Sequence, residues 1–329
     1  MARKRKLIFQ VRELLWEKGR DALENARIAV SKENIPFEPL QNALNFFIRN
    51  WEDVMHPALL SLSCEKVGGR HEDTVQIGAA IVLLAGGADV HDDVIDQSRK
   101  KDSRLTVFGK FGKDMAILVG DALILEGLYI LHEACRTLSE DKRRSILEST
   151  KQAFFEIGSA EAKETRLRER TDSLVAAEYL EMIKTKAAVG EVTTRIGAIL
   201  GGGGQKEIDA LSHYGRTLAI LYGIRDEFTD AFELEEMRNR VERECLPLPI
   251  LFALRDAEKK TEIERLIEKR PITQEKVDIL LKLVIDSQET QKLKDDMQSL
   301  IEETTNHLHR ANLKHKEFML LLESSVEDL

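Results

Sequence analysis

Two acidic clusters in this chain share one spacing, His91-Asp92-Asp93-Val94-Ile95-Asp96 and Arg225-Asp226-Glu227-Phe228-Thr229-Asp230. Each follows a run of small and apolar residues that reads as a helix. Residues four apart on a helix project from one side, which aligns Asp92 with Asp96 and Asp226 with Asp230. Carboxylates packed this closely repel one another until a cation relieves them. Mg²⁺ suits the role, because it favours a few carboxylates plus phosphate oxygens over a complete protein cage. The pair of clusters therefore points to a diphosphate held by metal between two helices.

The first cluster continues a longer pattern. Asp89, Asp92, Asp93, Asp96 and Lys100 follow steps of three and four, and the stripe runs back through Gly86, Ala85, Val82 and Gly78. The second repeats it, with Gly215, Ala219, Tyr222 and Gly223 leading into Asp226 and Asp230. A face that is apolar below and anionic above suits a ligand with a greasy tail and a metal-bound head. A solvated acidic face is the ordinary alternative. Its weakness is that the arrangement occurs twice.

The elements that must position these clusters are helices. Helical periodicity marks 117–131, 142–155, 174–200 and 208–224, while alternating strands and hairpin signals are scarce. The run Gly201-Gly202-Gly203-Gly204 breaks the pattern and reads as a loop. The chain has 329 residues, only 6 Pro and no Pro/Gly/Ser-rich linker. These features predict an all-α protein with a single domain over 1–329. From Asp256 onward the sequence is highly charged, with Val277, Leu280, Leu281 and Val284 at helical intervals. It predicts peripheral helices.

A net charge of −9 argues against general nucleic-acid binding. The basic start, Arg3-Lys4-Arg5-Lys6, lacks the apolar stretch of a secretory signal and reads as a solvated tail. The longest apolar run, Ile77 to Ala88, is too short to span a bilayer, so no transmembrane segment is expected. Cys64, Cys135 and Cys245 are odd in number and widely spaced, which suggests neither a disulfide framework nor a zinc site. A reducing cytoplasm is the simplest location.

These residues resemble the trans-polyprenyl diphosphate synthases, from about residue 40 to residue 255. The block Val90 to Asp96 is followed by Thr106, Phe111-Gly112 and Gly120-Asp121-Ala122-Leu123 in the family's order. The second cluster looks like the family's second aspartate-rich motif, with Glu227 for its usual second Asp, and Leu246-Pro247-Leu248 resembles the element after it. The resemblance implies an isoprenoid synthase-type helical bundle around a deep central cavity. It also implies a homodimer or a heteromer with a related synthase.

The same resemblance implies three Mg²⁺ ions bridging the acidic motifs and an allylic prenyl diphosphate. Asp92, Asp96, Asp226, Glu227 and Asp230 are then metal ligands, and Asp92, Asp93, Asp96, Asp226, Asp230 and Lys186 form the catalytic set. Metal stabilises charge on the departing diphosphate, and an allylic cation forms. In the family's elongation reaction, the double bond of isopentenyl diphosphate attacks that cation. On the allylic side, Lys186 matches a diphosphate-binding Lys and Lys101 the first Arg of an Arg-Arg-Gly-x-Pro-Thr element. Arg243 stands in for the Lys expected after the second acidic motif.

The isopentenyl side departs from the pattern. The family's Gly-Gly-Lys-Arg-x-Arg-Pro motif aligns with Trp51-Glu52-Asp53-Val54-Met55-His56-Pro57, and a second Arg becomes Asp102. Arg49, Arg99, Lys100 and Arg104 lie nearby in sequence as substitutes. Bulky aromatics usually close the pocket floor four and five residues before the first Asp. Here Ala88 and Gly87 stand there, which implies either room for a tail of farnesyl length or longer, or close helix packing.

Three functions follow in order. The first is an Mg²⁺-dependent prenyltransferase condensing an allylic diphosphate with isopentenyl diphosphate. The second is an ionising enzyme that passes the prenyl cation to a non-diphosphate acceptor or cyclises it. The third is a non-catalytic subunit of a heteromeric synthase.

Overall fold

The computed structural model describes residues 2–101, 104–167, 175–313 and 316–327, with backbone alone for 2–5. Asp102 lies outside the described residues. In chain order the helices are α1 (Ala2–Lys32), α2 (Glu38–Asn50), α3 (Met55–Lys66), a 3₁₀ turn (His71–Thr74) and α4 (Val75–Ile95). A minimal hairpin follows, β1 (Lys100–Lys101) and β2 (Arg104–Leu105), pairing Lys100 with Leu105 and Lys101 with Arg104. Then come α5 (Val107–Phe111), α6 (Lys113–Cys135), α7 (Glu140–Leu167), α8 (Val175–Lys186), α9 (Ala188–Gly201) and α10 (Gln205–Phe232). The chain ends with α11 (Leu234–Arg243), α12 (Leu248–Ala253), α13 (Lys260–Glu268), α14 (Gln274–Ile285), α15 (Gln288–Arg310) and α16 (Lys316–Ser324). The all-α expectation holds.

Residues pack as two units, Met1–Gln152 with Val192–Gly215, and Ala153–Glu191 with Arg216–Leu329. In the first, α4 is the central helix, burying Ile77, Ala79, Val82, Leu83 and Val90. It lies against α6 at very short range. A Cβ on Gly87 would fall 2.7 Å from Ile124 Cγ1 and 2.9 Å from the Gly120 carbonyl oxygen. Gly87 is therefore small because α6 leaves no room, whereas Ala88 is exposed. The two positions that sequence treats together have different reasons for their size.

Two stretches among the described residues, 71–95 and 113–135, are long and apolar enough to cross a membrane. Core helices of globular proteins share this length and composition, so the two stretches by themselves do not mark a membrane span. Most of the first stretch is buried inside the protein, and α6 packs against it while leaving Leu118, Leu125, Leu128 and Tyr129 exposed.

Thr106, matched by resemblance, is a structural pin. Its hydroxyl donates to the Ser98 carbonyl at 2.7 Å and accepts the Gly109 N–H at 2.9 Å, capping α5. Gly112 joins α5 to α6 with φ +85, a left-handed conformation that favours glycine.

The second unit has its own core, including Met237, Ile250, Ile263, Leu266, Val277, Leu280 and Val284. The C-terminal helices are thus part of a core, where sequence predicted peripheral packing. Their high charge lies on outward faces, and polar pins such as Thr304–Thr217 at 2.9 Å and Tyr222–Ser324 at 2.7 Å anchor them to α10. The stretch 174–200 predicted as one helix breaks at Ala187, where the Gly190 N–H reaches the Ala187 carbonyl three residues back. The glycine run is shorter as a loop than expected, since α9 continues through Gly201 and Gly202 supplies φ +82.

Candidate active site

The first acidic cluster occupies the last turn of α4. Gln97, at φ +56, ends the helix, and the Ser98 N–H returns to the Asp93 carbonyl at 2.9 Å. On this turn the carboxylates divide into two kinds. Lys101 Nζ lies 2.8 Å from Asp89 Oδ1 and 2.9 Å from Asp93 Oδ1, so these two acids are paired within the protein. Burial pushes the Asp93 carboxyl up to about 7 against the pull of Lys101, with Asp89 and Asp92 adding to the rise. Burial works against the Lys101 ammonium, but Asp89, Asp93 and Asp92 outweigh it and keep it charged.

Asp92 differs. Its Oδ1 is buried and has no hydrogen-bond partner among the described residues. An ionised carboxylate oxygen shielded from water is costly unless something positive meets it. With Asp96 four residues on, Asp92 offers the hard oxygen donors that fit Mg²⁺.

Around the aligned isopentenyl motif, the structure builds an acid–imidazole pair. Asp53 Oδ1 accepts the His56 N–H at 3.2 Å, capping the first turn of α3, and Asp53 Oδ2 meets His56 Nδ1 at 2.8 Å. Burial alone would depress the imidazole, yet Asp53 outweighs it and the His56 pKa is raised. The segment is fixed to the core through the Trp51 indole, which donates to the Val82 carbonyl at 3.3 Å, and through Arg27, which donates to the Trp51 carbonyl at 3.1 Å. Arg49, Arg99, Lys100 and Arg104 are all exposed.

The second cluster lies near the end of α10. Asp226 is exposed, Glu227 buried and Asp230 half-buried. Glu227, expected as a metal ligand, instead points into the core of its unit. Its carboxylate accepts the Tyr179 hydroxyl at 2.9 Å, the Leu248 N–H at 2.8 Å and a short ion pair from Arg240. The physical reason is helical rotation: one residue past Asp226, the side chain turns about 100° toward the interior. Burial pushes the Asp230 carboxyl up to about 7, opposed by Arg240 and reinforced by Glu227, Glu236 and Asp226.

The cations on this side are arranged differently from the sequence expectation. Arg243, at the last turn of α11, is exposed. Arg240 is the buried guanidinium, bound to Glu227, to the Tyr179 hydroxyl at 2.9 Å and to Glu244 at 3.3 Å. The i, i+3, i+7 spacing of Met237, Arg240 and Glu244 would have identified it, because Met237 marks the inward face. Lys186 ends α8 between Glu164 at 2.5 Å and Glu161 at 2.8 Å. Tyr179 had no sequence signal beyond its helical register.

Carboxylates that can hold hard cations and ammonium groups fixed near them are the parts needed to bind a diphosphate. The comparisons agree with that chemistry. The polyprenyl synthetase family model matches residues 41–284. A short chain isoprenyl diphosphate synthase of Methanothermobacter thermautotrophicus is 31% identical over 230 residues, covering 70% of this chain and 69% of that protein. A geranylgeranyl diphosphate synthase of Sulfolobus acidocaldarius is 30% identical over 174 residues, covering 53% and 52%. The solved geranylgeranyl pyrophosphate synthetase of Pyrococcus horikoshii superposes with a TM-score of 0.82 at 22% identity, over 97% of this chain and 99% of that one. That likeness carries the isoprenoid synthase fold, and the family match carries the class of chemistry, prenyl transfer. On this evidence of sequence and fold, the chain belongs to the polyprenyl synthetase family.

Proposed function

We propose that this prenyltransferase ionises an allylic prenyl diphosphate in the presence of Mg²⁺ and condenses the cation with isopentenyl diphosphate. The observation that carries the reading is the buried, unpartnered Asp92 oxygen on the turn that also holds Asp96. Asp92, Asp96, Asp226 and Asp230 are the residues assigned to hold the metal, three ions by family resemblance. Mg²⁺, when bound, neutralises charge growing on the departing diphosphate.

The protein's own groups do the rest. Lys101, Lys186 and Arg243 are assigned to diphosphate oxygens by family resemblance. Glu227 and Arg240 hold the second acidic turn in position. The apolar residues that precede each cluster exclude water from the allylic cation. Isopentenyl diphosphate, the family's second substrate, meets the Asp53–His56 pair in place of the usual Lys and Arg. Relatives named for geranylgeranyl diphosphate support a product of that length class.

Two further assignments complete the proposal. The exposed apolar face of α6, with Leu118, Leu125, Leu128 and Tyr129, suits a second copy of this chain or a related synthase. Three free, buried cysteines suit the reducing cytoplasm.

The test is incubation with Mg²⁺ and labelled geranyl, farnesyl or geranylgeranyl diphosphate, with and without isopentenyl diphosphate. Longer diphosphates are expected only when isopentenyl diphosphate is present. Alcohols, cyclic hydrocarbons or adducts formed without it would overturn the condensation, and no turnover would overturn the catalytic reading.

A further inference from the structure

We infer that Asp89 is a positioning residue for the leaving diphosphate, acting by fixing Lys101 beside the first acidic cluster. This rests on the proposed function. Asp89 lies one turn before Asp93 on α4, and the two share the Lys101 ammonium at 2.8 and 2.9 Å. On a helix of 100° per residue, Asp93 falls about 40° to one side of Asp89 and Asp92 about 60° to the other. Lys101 thus neutralises one edge of the acidic stripe and leaves Asp92 on the opposite edge.

The backbone under Lys101 is fixed as well. It belongs to the two-residue strand β1, whose hairpin is pinned by the Thr106 hydroxyl on the Ser98 carbonyl at 2.7 Å and by the Thr106 N–H on the Arg99 carbonyl at 3.1 Å. A lysine head on four flexible carbons would otherwise sample many positions. Asp93 alone would give it one anchor, and Asp89 gives it a second. An ammonium has three N–H donors, so two anchors still leave one for a phosphate oxygen. Pre-placement of that donor lowers the ordering cost of binding the diphosphate.

The experiment is a double-mutant cycle read by steady-state kinetics with farnesyl diphosphate and saturating Mg²⁺. Asp89→Asn and Lys101→Met should each raise the KM for farnesyl diphosphate by about tenfold, and the double variant should be no worse than Lys101→Met. The kcat should change far less than KM, and Asp89→Glu should recover most of the loss. A purely structural contact would instead lower thermal stability and leave KM alone. Multiplicative effects, or an Asp89→Asn KM within about twofold of the parent, overturn the inference. If Asp89→Asn does not fold, Asp89→Ser enters the same cycle with the same criteria. Absence of turnover in the parent protein overturns the functional reading, and this inference with it. Turnover in the parent with multiplicative effects overturns the inference alone.

Discussion

Tyr179 donates its hydroxyl to Glu227 across 2.9 Å, and both side chains are buried. The contact joins α8 to the acidic turn of α10, and Arg240 from α11 closes it by binding both partners. Burial raises the Tyr179 phenol well above its ordinary range, with Arg240 opposing and Glu227 reinforcing, so the phenol remains a donor. A buried charge is held here by its counter-charge. Arg240→Ala should therefore cost about 3–5 kcal/mol by stranding Glu227, and Tyr179→Phe about 1–3 kcal/mol. The double variant Glu227→Met/Arg240→Met should be more stable than Arg240→Ala. Guanidinium unfolding measures all three, and an Arg240→Ala loss below about 1 kcal/mol would refute the account.

Asp92 predicts an effect of metal that needs no turnover. Mg²⁺ should raise the melting temperature of the parent protein and not that of Asp92→Asn. Without metal, Asp92→Asn should be as stable as the parent or slightly more so, because the buried oxygen loses its charge. It should also lose Mg²⁺-dependent turnover. Equal Mg²⁺ stabilisation in both proteins, by differential scanning fluorimetry, would remove Asp92 from the metal site.

The Asp53–His56 pair predicts a pH dependence of stability. The folded His56 pKa lies above its unfolded value of about 6.5, so the proton is bound more tightly in the folded protein. The resulting stability is fully present below about pH 6.5 and is lost as pH rises through the raised folded value. The stability difference between the parent and His56→Gln should shrink from about pH 6 to about pH 9. A difference that is flat or grows over that interval would contradict the pairing.

The same pair predicts weak capture of the second diphosphate. Asp53→Lys combined with His56→Arg changes two positions toward the family pattern and removes a carboxylate. It should lower the KM for isopentenyl diphosphate by about tenfold or more, with the KM for the allylic substrate little changed. Loss of the Asp53 cap should cost about 1 kcal/mol of stability. An unchanged KM for isopentenyl diphosphate would show that its diphosphate is held elsewhere.

Gly87 and Ala88 should respond in opposite ways to added bulk. Gly87→Val drives a side chain against the Gly120 carbonyl and Ile124, and should destabilise by about 1–3 kcal/mol. Ala88→Phe is at an exposed position and should stay within about 0.5 kcal/mol of the parent. Its effect should fall on product length, which ought to shorten. Chromatography of the prenyl products checks this, and unchanged lengths would dismiss Ala88 as part of the pocket floor.

Much of the local structure was legible in the sequence. The acidic turns do lie on helices, because small and apolar residues at a 3.6 period leave few alternatives. Thr106 and Gly112 stood out by resemblance, and their roles are a cap and a left-handed turn. Less legible were features that depend on neighbours distant in sequence. Spacing alone could not distinguish tight α4–α6 packing at Gly87 from an open floor. The Asp53–His56 pair was hidden because matching to a family motif asks which cations are missing, while the residues present satisfy each other. The break at Ala187 and the core role of α14 were likewise set by packing.

Residue types and spacing establish which groups are available: paired carboxylates on two helices, with lysines and arginines near them. Helical spacing is local, so it survives without knowledge of the rest of the chain. Which of those carboxylates are already paired depends on neighbours that folding brings in from elsewhere in the chain. Asp89 and Asp93 meet Lys101, and Glu227 meets Arg240 13 residues away and Tyr179 48 residues away. Burial removes the water that would otherwise compete for these partners, so each buried acid must find a cation or donor within the fold. In the first cluster, the buried Asp92 Oδ1 and Asp93 Oδ1 both lack a hydrogen-bond partner among the described residues, but Asp93 Oδ1 has the Lys101 ammonium at 2.9 Å.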